Sequence, residues 1–289
     1  MDSGERDERP NAAQIAYWDE SAGPRWTSSQ EALDAVLAPL GELAIELAAP
    51  TWGERVLDVG CGCGDTTLSL AARVGPAGRA EGIDVSEPML ARARERLAAS
   101  AITNVGFTNS DAQTSGIPDG FDLVYSRFGV MFFSDPRAAF ANLYRVLVPG
   151  GRLAFVCWQP LEGNPWMSWP LAVVERHLGP ATQAGPGEPG PFSLSDRNHL
   201  EAILLGAGFA DITIEPHERA LRLGADIDAA LRCVADSVGQ AATMLREASP
   251  LARETARAGL REMLARSATT NGVDLRSAVW VVGARRRSI

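Results

Sequence analysis

Val56-Leu57-Asp58-Val59-Gly60-Cys61-Gly62-Cys63-Gly64-Asp65-Thr66-Thr67 is an apolar run, three alternating glycines and the opening of a helix that carries Leu68, Leu70 and Ala71. A strand that turns on glycines into a helix brings backbone N–H groups and the positive helix end against a ligand. Gly60, Gly62 and Gly64 permit positive φ angles and let that ligand lie on the backbone with no Cβ between them. The glycine spacing separates two nucleotide readings. A dinucleotide fingerprint runs G-x-G-x-x-G after a strand. Here the third glycine arrives one position early, and Asp65 stands where that fingerprint has its last glycine. Asp58 adds an acid inside the strand end. A carboxylate repels a pyrophosphate and attracts an ammonium or sulfonium group.

The pattern continues in phase downstream. The strand Arg79-Ala80-Glu81-Gly82-Ile83-Asp84 ends on an acid one β-α-β unit after Asp58. An acid at that point accepts hydrogen bonds from both ribose hydroxyls, in either nucleotide reading. Val85 follows it. Ser86 is placed to cap the next helix, with Glu87 and Pro88 in the first turn and Met89 near an adenine. A third apolar strand from Val105 ends at Asp111, followed by Ala112 and Gln113. Phe121 to Val130 reads as a buried central strand, with Ser126 and Arg127 at its end, running into a loop at the mouth of the site. Asp135-Pro136 opens a helix to Leu147, Val148-Pro149-Gly150-Gly151 breaks it, and Arg152 to Cys157 is the next strand.

These blocks together resemble the class I methyltransferases that use S-adenosylmethionine. The carrying residues are the D-x-G-x-G-x-G at Asp58–Gly64, the acids Asp84 and Asp111, Asp135-Pro136, and Tyr144-Arg145-Val146-Leu147 with Pro149-Gly150-Gly151-Arg152-Leu153. The nearest subgroup is the ubiquinone/menaquinone-biosynthesis C-methyltransferase type and its small-molecule relatives, and the resemblance spans Val56 to Trp158. It implies a cofactor with an amine and a sulfonium and no phosphate. It implies cofactor contacts at Asp58, Gly60, Gly62, Gly64, Asp84, Val85, Met89, Asp111, Ala112, Gln113 and Ser126, with the arm aromatics Tyr17, Trp18 and Trp26 folding over the cofactor in a cap. Read without the resemblance, Asp111 is equally an exposed turn acid, and the aromatics equally staple an N-terminal helix to the domain.

Alternating strands and helices over 289 residues with 46% apolar content argue for an α/β fold. The expected architecture is a Rossmann-like, seven-stranded, mostly parallel, doubly wound sheet with helices on both faces. Its last strands form an antiparallel hairpin, and helical lid insertions complete it. Residues 1–50 form an N-terminal arm and cap helix, with disorder over residues 1–12 and a helix from Glu31 to Ala49 that Pro39 and Gly41 kink or split. Residues 51–157 form the cofactor-binding core and 158–195 a lid. Residues 196–289 hold the rest of the sheet, with a strand from Asp211 to Glu215, another from Ala278 to Ala284, and a helical insertion at about 222–270. Ser195 is placed to cap a helix over Asp196–Leu205.

A net charge of −9 argues against a nucleic acid as partner. No apolar run reaches the ~20 residues that span a bilayer, and the charged start from Met1 to Pro10 is no signal peptide, so a cytoplasmic protein is expected. Cys61, Cys63, Cys157 and Cys233 read as buried thiols, with no metal site. The chain has no lysine, which excludes catalysis by a lysine amine. Trp158, Trp166, Met167 and Trp169 read either as a wall for an apolar or aromatic acceptor or as packing of the lid onto the sheet.

Methyl transfer needs a general base only when the nucleophile arrives protonated. His177 is the candidate, with His199 and His217 behind it; each is also a plain surface residue. Arg127 reads as a partner for an anionic acceptor, for Asp111, or in a structural ion pair. The expected activity is methylation of oxygen or carbon on a small metabolite, by a monomer or homodimer. An NAD-dependent oxidoreductase, or a cofactor-binding protein of this fold that transfers no methyl, are the alternatives.

Overall fold

A computed structural model describes residues 10–182, 187–237 and 239–288. Most of the segment expected to be disordered lies outside these residues, as does the middle of the Gly/Pro-rich stretch 179–191. The order that reaches Asn11 and Ala12 is a correction, since Asn11 is buried. The arm comprises α1 (Ala12–Ala16), a π-helical turn at Tyr17–Ala22, α2 (Gly23–Ser28) and α3 (Gln30–Ala48). The helix α3 is unbroken, with Pro39 inside it. Leu33, Val36, Leu37, Leu40, Ala44, Ile45 and Ala48 form its buried stripe, and that packing outweighs the missing N–H of one proline.

The sheet begins with β1 (Arg55–Val59), whose Val56–Val59 are buried on both faces, as expected of a central parallel strand. It continues through α4 (Asp65–Val74), β2 (Arg79–Asp84), α5 (Glu87–Ala98), β3 (Val105–Asn109), β4 (Phe121–Arg127), α6 (Pro136–Val146) and β5 (Leu147–Trp158). The Asp135 side chain caps α6 by accepting from the Ala138 N–H, with Pro136 in the first turn. Then come α7 (Pro165–Leu178), α8 (Arg197–Gly206) and β6 (Ala210–Gly224). They are followed by α9 (Ile227–Arg232), α10 (Gly239–Glu247), α11 (Pro250–Ala265), β7 (Ala268–Thr269) and β8 (Gly272–Arg285).

The strand order is β3-β2-β1-β4-β5-β8-β6. Strands β3 to β5 pair in parallel, and β8 runs antiparallel between β5 and β6. The chain steps outward from β1 to β3 and then returns to β4 and β5. Right-handed crossovers therefore place α4 and α5 on one face and α6 on the other. Four expectations are corrected. A two-residue β7 joins the seven long strands. The strand β6 runs on to Gly224, so the helical insertion starts after it. The strand β8 starts at Gly272, because its first half pairs with that extension of β6. Asp196, not Ser195, caps α8, accepting from the His199 N–H.

Candidate functional site

A cavity of about 1330 Å³ opens at the carboxyl ends of the strands, where the order reverses between β1 and β4. Open α/β sheets take their ligands at this switch point. A single small-ligand site commonly measures ~300–1,000 Å³, so this cavity has room for two molecules. Its inner wall is the glycine turn with Ile83 to Val85, Met89 and Ser110 to Ala112; its outer wall is aromatic.

Gly60, Gly62 and Gly64 have φ of 67°, 53° and 81°. At Gly60 the conformation and the space both demand glycine, since a Cβ there would stand 2.7 Å from Gly129 Cα. The loop after β4 crosses the turn at this point. Ser126 pins the crossing by donating to the Val59 carbonyl at 2.7 Å and accepting from the Gly129 N–H at 3.1 Å. Asp84 fastens the turn from the β2 side. Its Oδ2 accepts from the Gly62 N–H at 2.8 Å and its Oδ1 from the Ser86 N–H at 2.9 Å. A carboxylate offers about four acceptor positions, so about two stay open. Burial raises the Asp84 pKa against those backbone bonds. The Ser86 hydroxyl makes no cap; it is buried without a partner, beneath Gly23 of α2.

Asp58 is fully buried behind the turn. Its Oδ2 accepts from the Thr66 and Thr67 hydroxyls at 2.7 and 2.6 Å, and its Oδ1 has no partner. These bonds tie the first turn of α4 to β1. Burial pushes its pKa up to about 6, with the two hydroxyls opposing. Asp111 accepts from the Gln113 N–H, the Thr114 hydroxyl and Asn11 Nδ2. It therefore receives the arm as well as organising its own turn. Gln113 joins that turn to the loop before α6, exchanging bonds with Ser134 and accepting from the Asp135 N–H.

Arg127 reaches the cavity lining but does not pair with Asp111. It bonds Asp34 of α3 at 2.9 Å and Asp65 of α4 at 3.0 Å. Arg96 of α5 bonds the same two acids at 3.0 and 3.1 Å and also the Cys63 carbonyl. Two arginines and two aspartates thus clamp three helices around the far end of the turn.

The outer wall carries Phe128, Met131, Phe132, Phe133, Trp158 and Trp166. Phe128 stacks on Trp158 at 4.1 Å between centroids and 10° between planes, and Trp158 meets Trp166 at 5.0 Å. Phe128 holds φ at 62°, an unfavourable backbone for a bulky residue. Trp18 of the arm meets Phe132 edge-on at 4.8 Å and closes the wall.

The structure brings Tyr17, Trp26, Gly60, Gly62, Asp84, Val85, Met89, Asp111 and Ala112 to the cavity. Asp58, Gly64, Gln113 and Ser126 are not on its lining; they support it from behind. Trp158, Trp166 and Met167 reach it, whereas Trp169 points out and is exposed. His177 is a correction: it is exposed on α7 beside Gly259 of α11 and is not among the lining residues. His199 does line the cavity, and His217 lies on β6. Trp18, read with Tyr17 and Trp26 among the arm aromatics, also lines the cavity, as do Asn11, Arg25, Asp34, Gly129 and Arg246, which were not singled out in the sequence. Only the aromatic cluster around Trp18 carried a signal; the others depend on distant segments meeting.

The donor set fits an adenosyl group with an amine and no phosphate. Asp84 and Asp111 face the turn and Asp58 backs it, a setting hostile to a pyrophosphate. The family described as "Methyltransferase domain" matches residues 56–151. The aklanonic acid methyltransferase DauC of Streptomyces sp. (strain C5) is 37% identical over 118 residues, 40% of this chain and 54% of that protein. The ubiquinone/menaquinone biosynthesis C-methyltransferase UbiE of Ectopseudomonas mendocina (strain ymp) is 33% identical over 189 residues, 58% of this chain and 70% of that protein. The match thus spans about half the length of the first of these relatives and most of the second. The solved Haemonchus contortus phosphoethanolamine N-methyltransferase 2 with S-adenosyl-L-methionine aligns at a TM-score of 0.57 and 20% identity. That alignment covers 95% of this chain and 60% of the other, and shows a shared fold.

Proposed function

From the premise that this chain belongs to the class I S-adenosylmethionine-dependent methyltransferases, of the ubiquinone/menaquinone-biosynthesis C-methyltransferase-like type, we propose that it methylates oxygen or carbon of a small apolar or aromatic metabolite. The observation that carries this reading is one cavity with two walls: a glycine turn held by Asp84, and an aromatic face across from it. S-adenosylmethionine, when bound, supplies an already activated methyl on a sulfonium. The chain's own residues then align and enclose. The open acceptor positions of Asp84 receive the ribose hydroxyls, Gly60 and Gly62 let the cofactor lie on the backbone, and Met89, Val85 and Ala112 flank the adenine. Asp111, braced by Asn11, keeps the adenine end of the wall in place, while Tyr17, Trp18 and Trp26 cover the site and exclude water. Where a proton must leave the acceptor, His199 is the histidine on the cavity lining.

The acceptor is a metabolite and not a nucleic acid, in keeping with the net charge of −9. Buried free thiols at Cys61, Cys63 and Cys157 suit the reducing cytoplasm. No described helix is long and apolar enough to cross a membrane. Calorimetric titration with S-adenosylmethionine, S-adenosylhomocysteine and NAD in parallel tests the reading. Micromolar binding of both adenosyl compounds and none of NAD is expected; NAD binding alone would overturn it.

A further inference from the structure

The rim of the cavity carries two cations that the site described above does not use. Arg25 of α2 and Arg246 of α10 both line it, one from the arm and one from the insertion. Neither makes an ion pair among the described residues. Arg25 donates to the Ser21 hydroxyl at 2.7 Å, and Arg246 donates to the Thr243 hydroxyl at 2.8 Å. Each thus spends one of five guanidinium donors on a neutral neighbour in its own segment. The nearby acid Asp236 is engaged by Arg257 at 3.2 Å. Burial, and then the like charge of Arg25, hold the Arg246 pKa below its usual value, so the two guanidiniums feel each other. Glu247 and Asp236 act on Arg246 in the opposite sense but form no ion pair with it among the described residues, so both guanidiniums keep donors for an anion in the cavity. An anion between them would remove the repulsion and take up the remaining donors.

We propose that Arg25 and Arg246 form the carboxylate-binding end of the acceptor site, so that the acceptor is an aromatic carboxylic acid whose ring lies on the Phe128–Trp158–Trp166 wall. The inference rests on the reading of the outer cavity as the acceptor site. A carboxylate suits the rim better than a doubly charged phosphate, because Glu162, Asp196 and Asp236 also face the cavity. The two arginines come from segments far apart in the chain, so the bound anion also draws the arm toward the insertion. The pair is a positioning and specificity device; it takes no part in the transfer itself.

The test titrates 2-naphthoate, 2-naphthamide and naphthyl phosphate into the protein, each with and without saturating S-adenosylhomocysteine. Naphthoate is expected to bind more tightly than the neutral amide and than the phosphate. Arg25→Gln and Arg246→Gln are each expected to weaken naphthoate roughly tenfold or more and to leave naphthamide and S-adenosylhomocysteine unchanged. Naphthoate binding no tighter than naphthamide in the unaltered protein, or insensitive to both substitutions, would overturn the carboxylate site. Tighter binding of the phosphate would replace the carboxylate by a phosphate ester. Failure of S-adenosylhomocysteine to bind would instead overturn the methyl-transfer reading, while the titrations without it still decide the role of the arginine pair.

Discussion

Gly60 and Gly62 look alike in sequence and differ in what a side chain would meet. A methyl on Gly60 strikes the Gly129 backbone at 2.7 Å, whereas one on Gly62 strikes the movable end of Met89. Gly60→Ala is therefore expected to lower stability by about 2 kcal/mol or more in urea unfolding. Gly62→Val is expected to abolish S-adenosylhomocysteine binding with a smaller loss of stability, read by calorimetry beside the same unfolding curves. Asp58 has the opposite character, since its role is internal. Its carboxyl is raised by burial to about 6, above its usual value near 3.8, so the folded state holds the proton more tightly. The stability it contributes is present below pH 4 and lost as pH rises through 6, amounting to about 3 kcal/mol at most. Unfolding of the wild type and of Asp58→Asn from pH 4 to pH 7 checks the sign: the wild type should lose stability relative to the variant. The acids at 58, 84 and 111 were legible as a series. That the first supports α4, the second holds the turn and the third receives the arm follows from hydrogen bonds no spacing encodes.

Arg127 and Arg96 join α3, α4 and α5 through Asp34 and Asp65, with Arg127 and Asp34 largely out of water. Breaking a buried pair strands its partners, so Arg127→Met is expected to cost about 2–4 kcal/mol of unfolding free energy. A double-mutant cycle with Asp34→Asn should show strong coupling. The strand, glycine turn and helix of β1–α4 were readable from hydrophobic pattern and turn chemistry. The continuity of α3 through Pro39, and the extension of β6 to Gly224, were not. In both cases packing outweighs local preference, along the buried stripe of α3 and along the long pairing with β8.

For the molecule as a whole, the cavity has walls from the sheet, the arm and the insertion, so occupancy should tighten all three together. Saturation with S-adenosylhomocysteine at one hundred times its Kd is expected to stabilise the fold by about 2.7 kcal/mol, raising Tm by about 5 °C. A thermal melt with and without the compound checks this; an unchanged Tm would contradict a cofactor bound inside the cavity. The amino-acid sequence by itself determined the parallel half of the sheet, the switch point and the glycine-turn wall of the cavity. Each depends on residues close in the chain: an apolar strand, a glycine turn, an acid at the next strand end. Tertiary structure alone decided which other residues line the cavity. It removed His177, brought His199 forward, committed Arg127 to a clamp and brought Arg25 and Arg246, more than two hundred residues apart, to one cavity. The physical reason is that backbone pattern is written locally, whereas a cavity wall consists of side chains from distant segments that only packing brings together.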